Sequence, residues 1–382
     1  MQCAGRMILV GVYMRGKKNR SRIGFAIRIE LILLLALGCA FIGKEIKGRW
    51  DDSAWQDTGG GWNSDMSEAV EVTADGNYIK WVEFNVTCEA MAAAYDLDVE
   101  SYEEDIHINW IELLAYVGAR TGGKFDKNSV KKINEAAEKL KSGEAVMEEL
   151  TEDMEYYAYY LEAYTAVLGG MVGEFSIKED GQWKRYYGLK AFSPIAKGFD
   201  YSHYDDFGSS RSYGYSRPHL GHDMMGQIGT PIIAVESGVV EALGWNQYGG
   251  WRIGIRSFDG KRYYYYAHLR QNYPYAEGLE EGSVVTAGDV IGYMGHTGYS
   301  TTENVNNIET VHLHWGLQLI FDESQREGNN EIWVDCYELT KFLYRNRSEV
   351  AKVGDTREWR RTREMADPEV EKHCKNDASV IQ

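Results

Sequence analysis

The chain has little cysteine and little proline for its length. It contains five of each among 382 residues. Two cysteines, Cys3 and Cys39, lie before or within an apolar segment, which leaves Cys88, Cys336 and Cys374, an odd number. At most one disulfide could form among these three, so a disulfide framework is excluded. No Cys-x-x-Cys pair occurs, which argues against a zinc site built from thiolates.

Acidic side chains are missing from the first 28 residues and abundant afterwards. The formal net charge is -17, and the seven Lys and Arg residues of this first segment contribute +7, so the remainder carries -24. Because this remainder of the chain is strongly negative, it repels nucleic acid and anionic lipid. We therefore do not expect either polyanion to be the main partner. The hydrophobic content of 44%, with 27 tyrosines and 11 tryptophans, indicates a globular protein.

An apolar segment follows the basic one. Leu31–Gly43 has thirteen residues and no charge, a length typical of a signal peptide, and Gly38-x-Ala40 is a small-x-small cleavage site. Counted over 23–43 the segment is long enough to span a bilayer. Both interpretations, with a slight preference for the membrane anchor, place residues 44–382 outside the cytoplasm, because the basic flank stays inside.

The next part of the chain changes from linker to helix. Residues 44–78 are polar and glycine-rich, which is typical of an extended linker. Beyond them Trp110, Leu113, Leu114 and Val117 follow the helical i, i+3, i+4, i+7 spacing, with Asn109 as N-cap and Gly122 as the stop. Two further stripes of apolar residues at helical spacing follow, and the second covers Glu152–Leu168. We expect a small helical domain in which these apolar stripes pack together as the core. This domain could also bind a protein partner.

Beyond residue 173 the apolar period becomes two. A hairpin is predicted over residues 174–187, and Asp259-Gly260 is a strong short-turn pair between two runs that alternate. Short strands with glycine turns favour a mainly antiparallel sheet. The predicted fold is therefore multidomain α+β, with the following parts: a basic cytoplasmic N-terminus (1–22), a transmembrane anchor or signal peptide (23–43), a linker (44–78), a helical domain (79–172), a β-sheet domain (173–335), a C-terminal helix (336–354) and a charged tail (355–382).

Histidine is concentrated in the sheet region, which holds seven of the nine in the chain. His312 and His314 are two apart in a strand-like run, so their side chains share a face. Two imidazoles and one carboxylate, supplied by this pair together with His219-x-x-x-Asp223, make a three-ligand zinc site with an open position for water. If His219 and one histidine of the His312/His314 pair are the two imidazole ligands, the other histidine of that pair and His268 are left as candidate proton acceptors.

At these residues the sequence resembles the lysostaphin-type, LytM-like zinc endopeptidases of bacterial cell walls. The resemblance covers roughly residues 190–320. It rests on the following motifs and positions: Arg217-Pro-His-Leu-Gly-His-Asp223, Gly229-Thr-Pro-Ile-Ile-Ala-Val-Glu-Ser-Gly-Val-Val240, Tyr266-Ala-His-Leu269, Gly282, Val285, Gly288, Ile291, Gly292, Gly295, Thr297, Gly298 and His312-Leu-His314.

The resemblance implies a role for each of the five polar residues. His219, Asp223 and His314 would bind one zinc ion per chain, while His268 and His312 would activate water and stabilise the transition state. The domain at 173–335 would be a metallopeptidase with a LytM-like β fold. The function implied is an exported endopeptidase acting on stem peptides or cross-bridges of peptidoglycan. Which histidine takes the proton of the water stays open.

Some features depart from the family or leave alternatives open. Thr301–Val311 makes a longer loop than is usual before the last motif, and we expect it to reshape one wall of the groove. His222 is an extra histidine that we expect to point away from the metal, and Tyr213 and Tyr215 are candidate oxyanion donors. The alternative functions are a non-catalytic peptidoglycan-binding or hydrolase-activating member and a zinc carboxypeptidase or dipeptidase.

Overall fold

The computed structural model of the chain describes residues 84–212, 216–327 and 331–380. The basic segment, the apolar segment and the linker predicted over residues 1–78 lie outside this part, as do Tyr213 and Tyr215. Among the residues described, no helix combines the length and the apolar character that crossing a membrane requires.

The described residues contain seven α-helices and seventeen strands. The helices are α1 (Cys88–Ser101), α2 (Trp110–Thr121), α3 (Ser129–Lys141), α4 (Met147–Thr151), α5 (Tyr157–Leu168), α6 (Tyr337–Leu343) and α7 (Pro368–Val380). The strands are β1 (Val172–Glu179), β2 (Gln182–Leu189), β3 (Ser202–His203), β4 (Ser210–Ser212), β5 (Ser216–Pro218), β6 (His222–Met225), β7 (Pro231–Ile233), β8 (Gly238–Asn246), β9 (Gly250–Ser257), β10 (Arg262–Ala267), β11 (Val284–Val285), β12 (Val290–Tyr293), β13 (His312–Leu319), β14 (Ile332–Val334), β15 (Val350–Lys352), β16 (Trp359–Arg361) and β17 (Met365–Ala366).

The helices before β1 follow the apolar periodicity of the sequence. In α2 the side chain of Asn109 accepts hydrogen bonds from the first-turn backbone, and the helix ends at Gly122, whose φ of 61° is left-handed. Helix α5 begins at Tyr157, five residues later than predicted, because the N–H of Met154 bonds the carbonyl of Thr151 and closes a turn after α4.

A large antiparallel sheet carries the histidines. Its eight strands follow the order β11-β8-β9-β10-β13-β6-β3, with β14 paired to β13. Alternate residues of β9, such as Ile253 and Ile255, point into the core together with Tyr264 and Tyr266 of β10. The other face of the sheet is therefore free to form the floor of a groove. The predicted antiparallel sheet is confirmed.

A separate three-stranded sheet contains the predicted hairpin. Strands β1 and β2 pair in register around Asp180 and Gly181, both with positive φ, and β17 pairs with β1. The positive φ values match the tight turn that joins twisted antiparallel strands.

The buried side chains of the helices and of the large sheet form one cluster. At their junction the guanidinium of Arg262 makes a buried ion pair with Glu236, at 2.8 Å from Nε to Oε2, and also donates to the backbone carbonyl of Ala166 in α5. The division of the chain at residues 172 and 173 into two domains stays a prediction.

The segment predicted as a helix over 336–354 contains a shorter one. Helix α6 ends at Leu343, and β15 follows. The reason is tertiary: the amide of Asn346 donates to the carbonyls of Leu189 and Ala191, and Arg347 donates to carbonyls of the neighbouring loop. These contacts hold the backbone after Leu343 in a non-helical conformation.

The segment predicted as a charged tail, 355–382, contains two strands and a helix. Strand β17 extends the small sheet, and α7 begins just after it. The carboxylate of Asp367 is buried, where it accepts from the ammonium of Lys190 at 2.9 Å and from the hydroxyl of Ser237 at 2.7 Å. Sequence composition alone does not reveal this anchor, because its partners lie at least 130 residues away.

Candidate active site

The five polar residues selected from the sequence meet at one end of the sheet face. His312 and His314 lie on β13 and share the groove face, as their spacing predicts. Asp223 lies opposite His314 on β6, and His219 is in the loop just before β6. His268 follows directly after β10, which pairs with β13 on its other side. The antiparallel register therefore assembles residues that are up to 95 positions apart.

Three donor atoms converge to a triangle. Nε2 of His219 lies 3.0 Å from Oδ1 of Asp223 and 3.0 Å from Nδ1 of His314, and Nδ1 of His314 lies 2.9 Å from the same carboxylate oxygen. Two imidazole nitrogens this close to each other and to a carboxylate oxygen need a proton or a cation between them. Among the described residues this is the one group with three His, Cys, Asp or Glu donors close enough to hold a metal ion.

Two residues that the sequence motifs do not mark orient these donors. Nδ1 of His219 lies 3.3 Å from the backbone carbonyl oxygen of Asp206 and 3.3 Å from its Oδ1, which leaves Nε2 as the free acceptor. Arg211 donates from Nη2 to Oδ2 of Asp223 at 3.2 Å and also pairs with Asp206. Oδ1 of Asp223 thus faces the histidines while Oδ2 is held by a guanidinium. Neither Asp206 nor Arg211 stands in a pattern that sequence reasoning could have found.

Gly221 makes room for the ring of His314. A Cβ atom at this position would lie 2.5 Å from both Cε1 and Nε2 of His314, closer than side-chain atoms approach in proteins. The sequence offered a signal for this glycine, since it lies inside the motif that carries His219 and Asp223.

His268 and His312 stand beside the triangle without joining it. Nδ1 of His268 lies 2.9 Å from the carbonyl oxygen of Thr297, and Nδ1 of His312 lies 2.8 Å from that of Thr310. Because a carbonyl only accepts, both rings carry their proton on Nδ1 and keep Nε2 as an acceptor. His268 also has a φ of 62°, an uncommon conformation for a residue with a side chain and one that clusters at functional sites.

Burial and neighbouring charges set the ionisation of the site. Burial, with His312 and His314, lowers the pKa of His268 well below its usual value, so that ring is neutral near pH 7. Burial also opposes the charged form of Asp223, but hydrogen bonds from His219 and His314 lower its pKa overall. Burial lowers the pKa of His314, whereas for His219 the effect of burial is outweighed by Asp223, and its pKa is raised. The site therefore combines an ionised carboxylate with neutral imidazoles at His268 and His314.

The donors open onto a groove of about 1030 Å³. Tyrosines and Trp333 line much of it. Gly254 and Gly316 leave space for two of these lining side chains, because a Cβ at Gly254 would collide with the hydroxyl of Tyr263 and one at Gly316 would lie 2.6 Å from the ring of Trp333. The loop predicted to reshape one wall does line the groove, through residues 307–310.

The extra histidines lie outside the triangle. Nε2 of His222 lies 2.8 Å from Nδ1 of His203, and both rings pack against Tyr337 on the side of β6 away from the donors. Nδ1 of His296 lies 2.6 Å from the carbonyl oxygen of Ile308, at the base of the loop. All three histidines make contacts of their own, and none of them belongs to the donor set.

Comparisons with known proteins find similarity to peptidases in the part of the chain that carries these residues. The model of the family described as Peptidase family M23 matches residues 217–328. The chain is 39% identical over 124 residues to an L-Ala--D-Glu endopeptidase of Bacillus subtilis (strain 168), covering 32% of this chain and 36% of that one. It is 38% identical over 89 residues to lysostaphin of Staphylococcus simulans, covering 23% of this chain and 17% of lysostaphin.

One further relative and one solved structure are also similar to this chain. The chain is 36% identical over 89 residues to the glycyl-glycine endopeptidase ALE-1 of Staphylococcus capitis, covering 23% of each. The solved structure of lytM from Ruminococcus gnavus aligns over 69% of this chain and 90% of that one, with 24% identity and a TM-score of 0.46. The chain thus spans about a third or less of the length of these curated relatives.

Proposed function

Since residues 217–328 are a lysostaphin-type domain of peptidase family M23, we propose that the protein is a zinc-dependent endopeptidase that hydrolyses peptide bonds of peptidoglycan. The observation that carries the proposal is the convergence of His219, Asp223 and His314 beside two further histidines at the floor of an open groove. The relatives include endopeptidases named for an L-Ala--D-Glu bond and for a glycyl-glycine bond. Both bonds are candidates for this chain.

The donor set fits zinc. Two imidazole nitrogens and one carboxylate oxygen are the ligands of a catalytic zinc site, and three of them leave a coordination position open. The clearance that Gly221 provides lets Nδ1 of His314 face the other donors, and the Asp206 and Arg211 contacts orient His219 and Asp223. When bound, zinc supplies a Lewis acid and lowers the pKa of a water molecule to roughly 7.

The remaining histidines supply the proton chemistry. His268 and His312 line the groove, and with Nδ1 donating to a backbone carbonyl each ring has Nε2 left as the acceptor, so either can take a proton from the attacking water. Once protonated, the same ring donates a hydrogen bond to the oxyanion that develops on the scissile carbonyl, and then to the leaving amine. The carbonyls of Thr297 and Thr310 hold the rings in this orientation throughout.

We also propose that the domain acts outside the cytoplasm. The support is the sequence pattern of residues 1–43, a basic segment followed by an apolar one, which suits an anchor or a signal peptide. Membrane association through this segment, and binding of a protein partner through the helices, remain predictions.

The proposal is tested with the full-length protein and purified bacterial cell walls. We expect the wild type to contain one zinc per chain and to release muropeptides whose masses identify the bond cut. The variant His314→Ala should lose both zinc and activity, while His373→Ala, which removes a histidine outside the site, should keep both. A fully active His314→Ala protein contradicts the proposal. A zinc-loaded wild type that binds walls but releases nothing supports the non-catalytic alternative instead.

A further inference from the structure

Arg252 is a cationic side chain in the groove that the mechanism does not use. It lies on β9, whose neighbouring residues Ile253 and Ile255 point into the core. Because side chains alternate along a strand, Arg252 points to the opposite face, and it lines the groove. Arg252 lies on a strand, as His312 and His314 do.

The guanidinium of Arg252 is incompletely satisfied. Its Nε is buried, and within the part of the chain that the structure describes no acceptor lies within hydrogen-bond distance of it. The other arginines nearby differ: Arg211 is paired with Asp206 and Asp223, and Arg256 with Glu241 and Glu323. A buried donor without an acceptor is unfavourable. The side chain as a whole is partly exposed and lines the groove, where an anionic ligand can pair with the charge of the guanidinium.

The sheet places Arg252 close to the metal donors. Ala267 of β10 lies opposite His314 of β13, and Ile253 of β9 lies opposite Tyr266, the residue before Ala267. Two interstrand spacings of about 4.8 Å thus separate the backbones of Arg252 and His314, roughly 10 Å in all. Ala267 also lines the groove, and its small side chain leaves the space between them open.

This separation corresponds to a short length of substrate. An extended peptide advances about 3.4 Å per residue, and an arginine side chain reaches several ångströms from its backbone. A peptide whose scissile carbonyl sits at the donor triangle therefore carries its next one or two residues past the guanidinium. Arginine recognises a carboxylate through two parallel hydrogen bonds, which gives it both affinity and geometric selectivity.

We infer that Arg252 binds a free carboxylate on the substrate peptide, within two residues of the scissile bond. This inference rests on the proposed function and narrows its substrate. A glutamate that enters a peptide chain through one carboxyl group keeps the other free, whereas a polyglycine bridge offers no carboxylate between its ends. The substrate class is accordingly an acidic stem peptide containing an L-Ala–D-Glu bond, and Arg252 is its specificity-determining residue.

Three synthetic probes test the inference on the full-length, zinc-loaded protein. The first is an N-acetylated L-Ala–D-Glu–L-Lys peptide in which the γ-carboxyl of glutamate continues the chain and the α-carboxylate is free. The second is identical except that this carboxylate is a carboxamide. The third is pentaglycine. We expect the wild type to hydrolyse the first with a kcat/KM about 10- to 100-fold above that for the second, as fits the value of a hydrogen bond to a charged group.

The variants separate recognition from structure. Arg252→Gln should reduce the carboxylate-to-carboxamide ratio to within about two-fold of one, and Arg252→Lys should give an intermediate ratio, because it keeps the charge but loses the paired hydrogen bonds. Arg345→Gln removes an equal charge from the surface, where Arg345 pairs with Asp96, and should leave the ratio unchanged. An equal loss for every probe in Arg252→Gln, or an unchanged ratio, overturns the inference.

The design distinguishes this failure from a failure of the proposed function. A wild type that hydrolyses pentaglycine best, or both glutamate peptides equally, overturns the role of Arg252 while the endopeptidase proposal stands. If no probe and no cell wall is cut, the proposed function fails. In that case, equilibrium binding of the two glutamate peptides to chelator-treated protein tests the role of Arg252. Tighter binding of the carboxylate peptide that is lost in Arg252→Gln supports the inference, and equal binding of the two peptides overturns it.

Discussion

His268 and His312 present the same tautomer to the groove from two different directions. Their ring centroids are 4.7 Å apart, and each ring has its Nδ1 within 3 Å of a backbone carbonyl oxygen, of Thr297 and Thr310 respectively. Each ring keeps Nε2 as an acceptor next to the metal-binding triangle, so either ring can take a proton from water and, once protonated, donate to the oxyanion.

The first prediction follows from this pair. His268→Ala and His312→Ala should each lower kcat about 10²- to 10⁴-fold, the range for losing a general acid or base, while zinc content stays near one per chain. Steady-state hydrolysis and metal analysis of the same preparations provide the measurement. Loss of zinc together with activity in either variant would instead assign that histidine to the metal.

Gly221 gives a steric prediction. Gly221→Ala should weaken zinc binding and reduce hydrolysis, since the added Cβ would lie 2.5 Å from the ring of His314. Competition with a chromogenic chelator measures the zinc affinity. Gly173→Ala is the matched control, because a Cβ there meets only ordinary contacts with Lys190 at 3.6 Å or more. Equal zinc affinities for the two variants would show that His314 can move aside freely.

Arg211 gives a prediction about orientation. Arg211→Gln removes the guanidinium that holds Oδ2 of Asp223, and partners of this kind affect metal affinity about 10- to 100-fold. We expect a loss in that range in the same chelator competition, with little change in thermal stability of the metal-free protein. An unchanged affinity would mean that the ligand histidines alone orient Asp223.

The pair of His203 and His222 gives a prediction about pH. Burial, aided by His203, lowers the pKa of His222 to about 3. Between pH 3 and 6.5 the unfolded chain therefore binds a proton that the folded chain excludes, so stability falls as the pH falls through this window. At pH 5 the effect is about 2 kcal/mol relative to pH 7.5, taking 1.36 kcal/mol per pKa unit.

Urea unfolding of the metal-free protein measures this effect. The free energy of unfolding of the wild type should fall by about 2 kcal/mol more than that of His222→Gln between the two pH values. Parallel pH profiles for the two proteins would show that His222 is protonated in the folded state.

The buried ion pair of Arg262 and Glu236 gives a prediction about stability. Glu236→Gln removes the buried partner of the guanidinium and leaves the partly exposed Asp259 as its charged partner, and breaking a buried pair in this way destabilises by about 3 to 5 kcal/mol. It also weakens the acceptor for the hydroxyl of Tyr264, which lies 2.6 Å from the Glu236 carboxylate. Lys178→Gln, which breaks a surface pair with Glu364, should change stability by less than about 1 kcal/mol. Chemical denaturation compares the two variants, and equal effects would show that the buried pair stabilises the fold no more than the surface pair does.

The sequence by itself determined the local structure and the chemical character of the site. Period-two runs around the Asp259-Gly260 turn predicted the antiparallel strands, and Asn109 and Gly122 predicted the ends of α2, because these signals act between residues close in the chain. The His312-x-His314 spacing put two imidazoles on one face for the same reason. The motifs then pointed to a metal-binding hydrolase.

Only the tertiary structure decided what surrounds that site. Asp206, Arg211 and Arg252 belong to no motif, and their importance comes from strands that register and loop packing bring together. The end of α6 at Leu343 and the anchoring of Asp367 likewise depend on partners more than 100 residues away. Sequence periodicity reports which face of an element is buried, whereas pairing across the sheet decides which polar groups meet, and that pairing is a property of the whole fold.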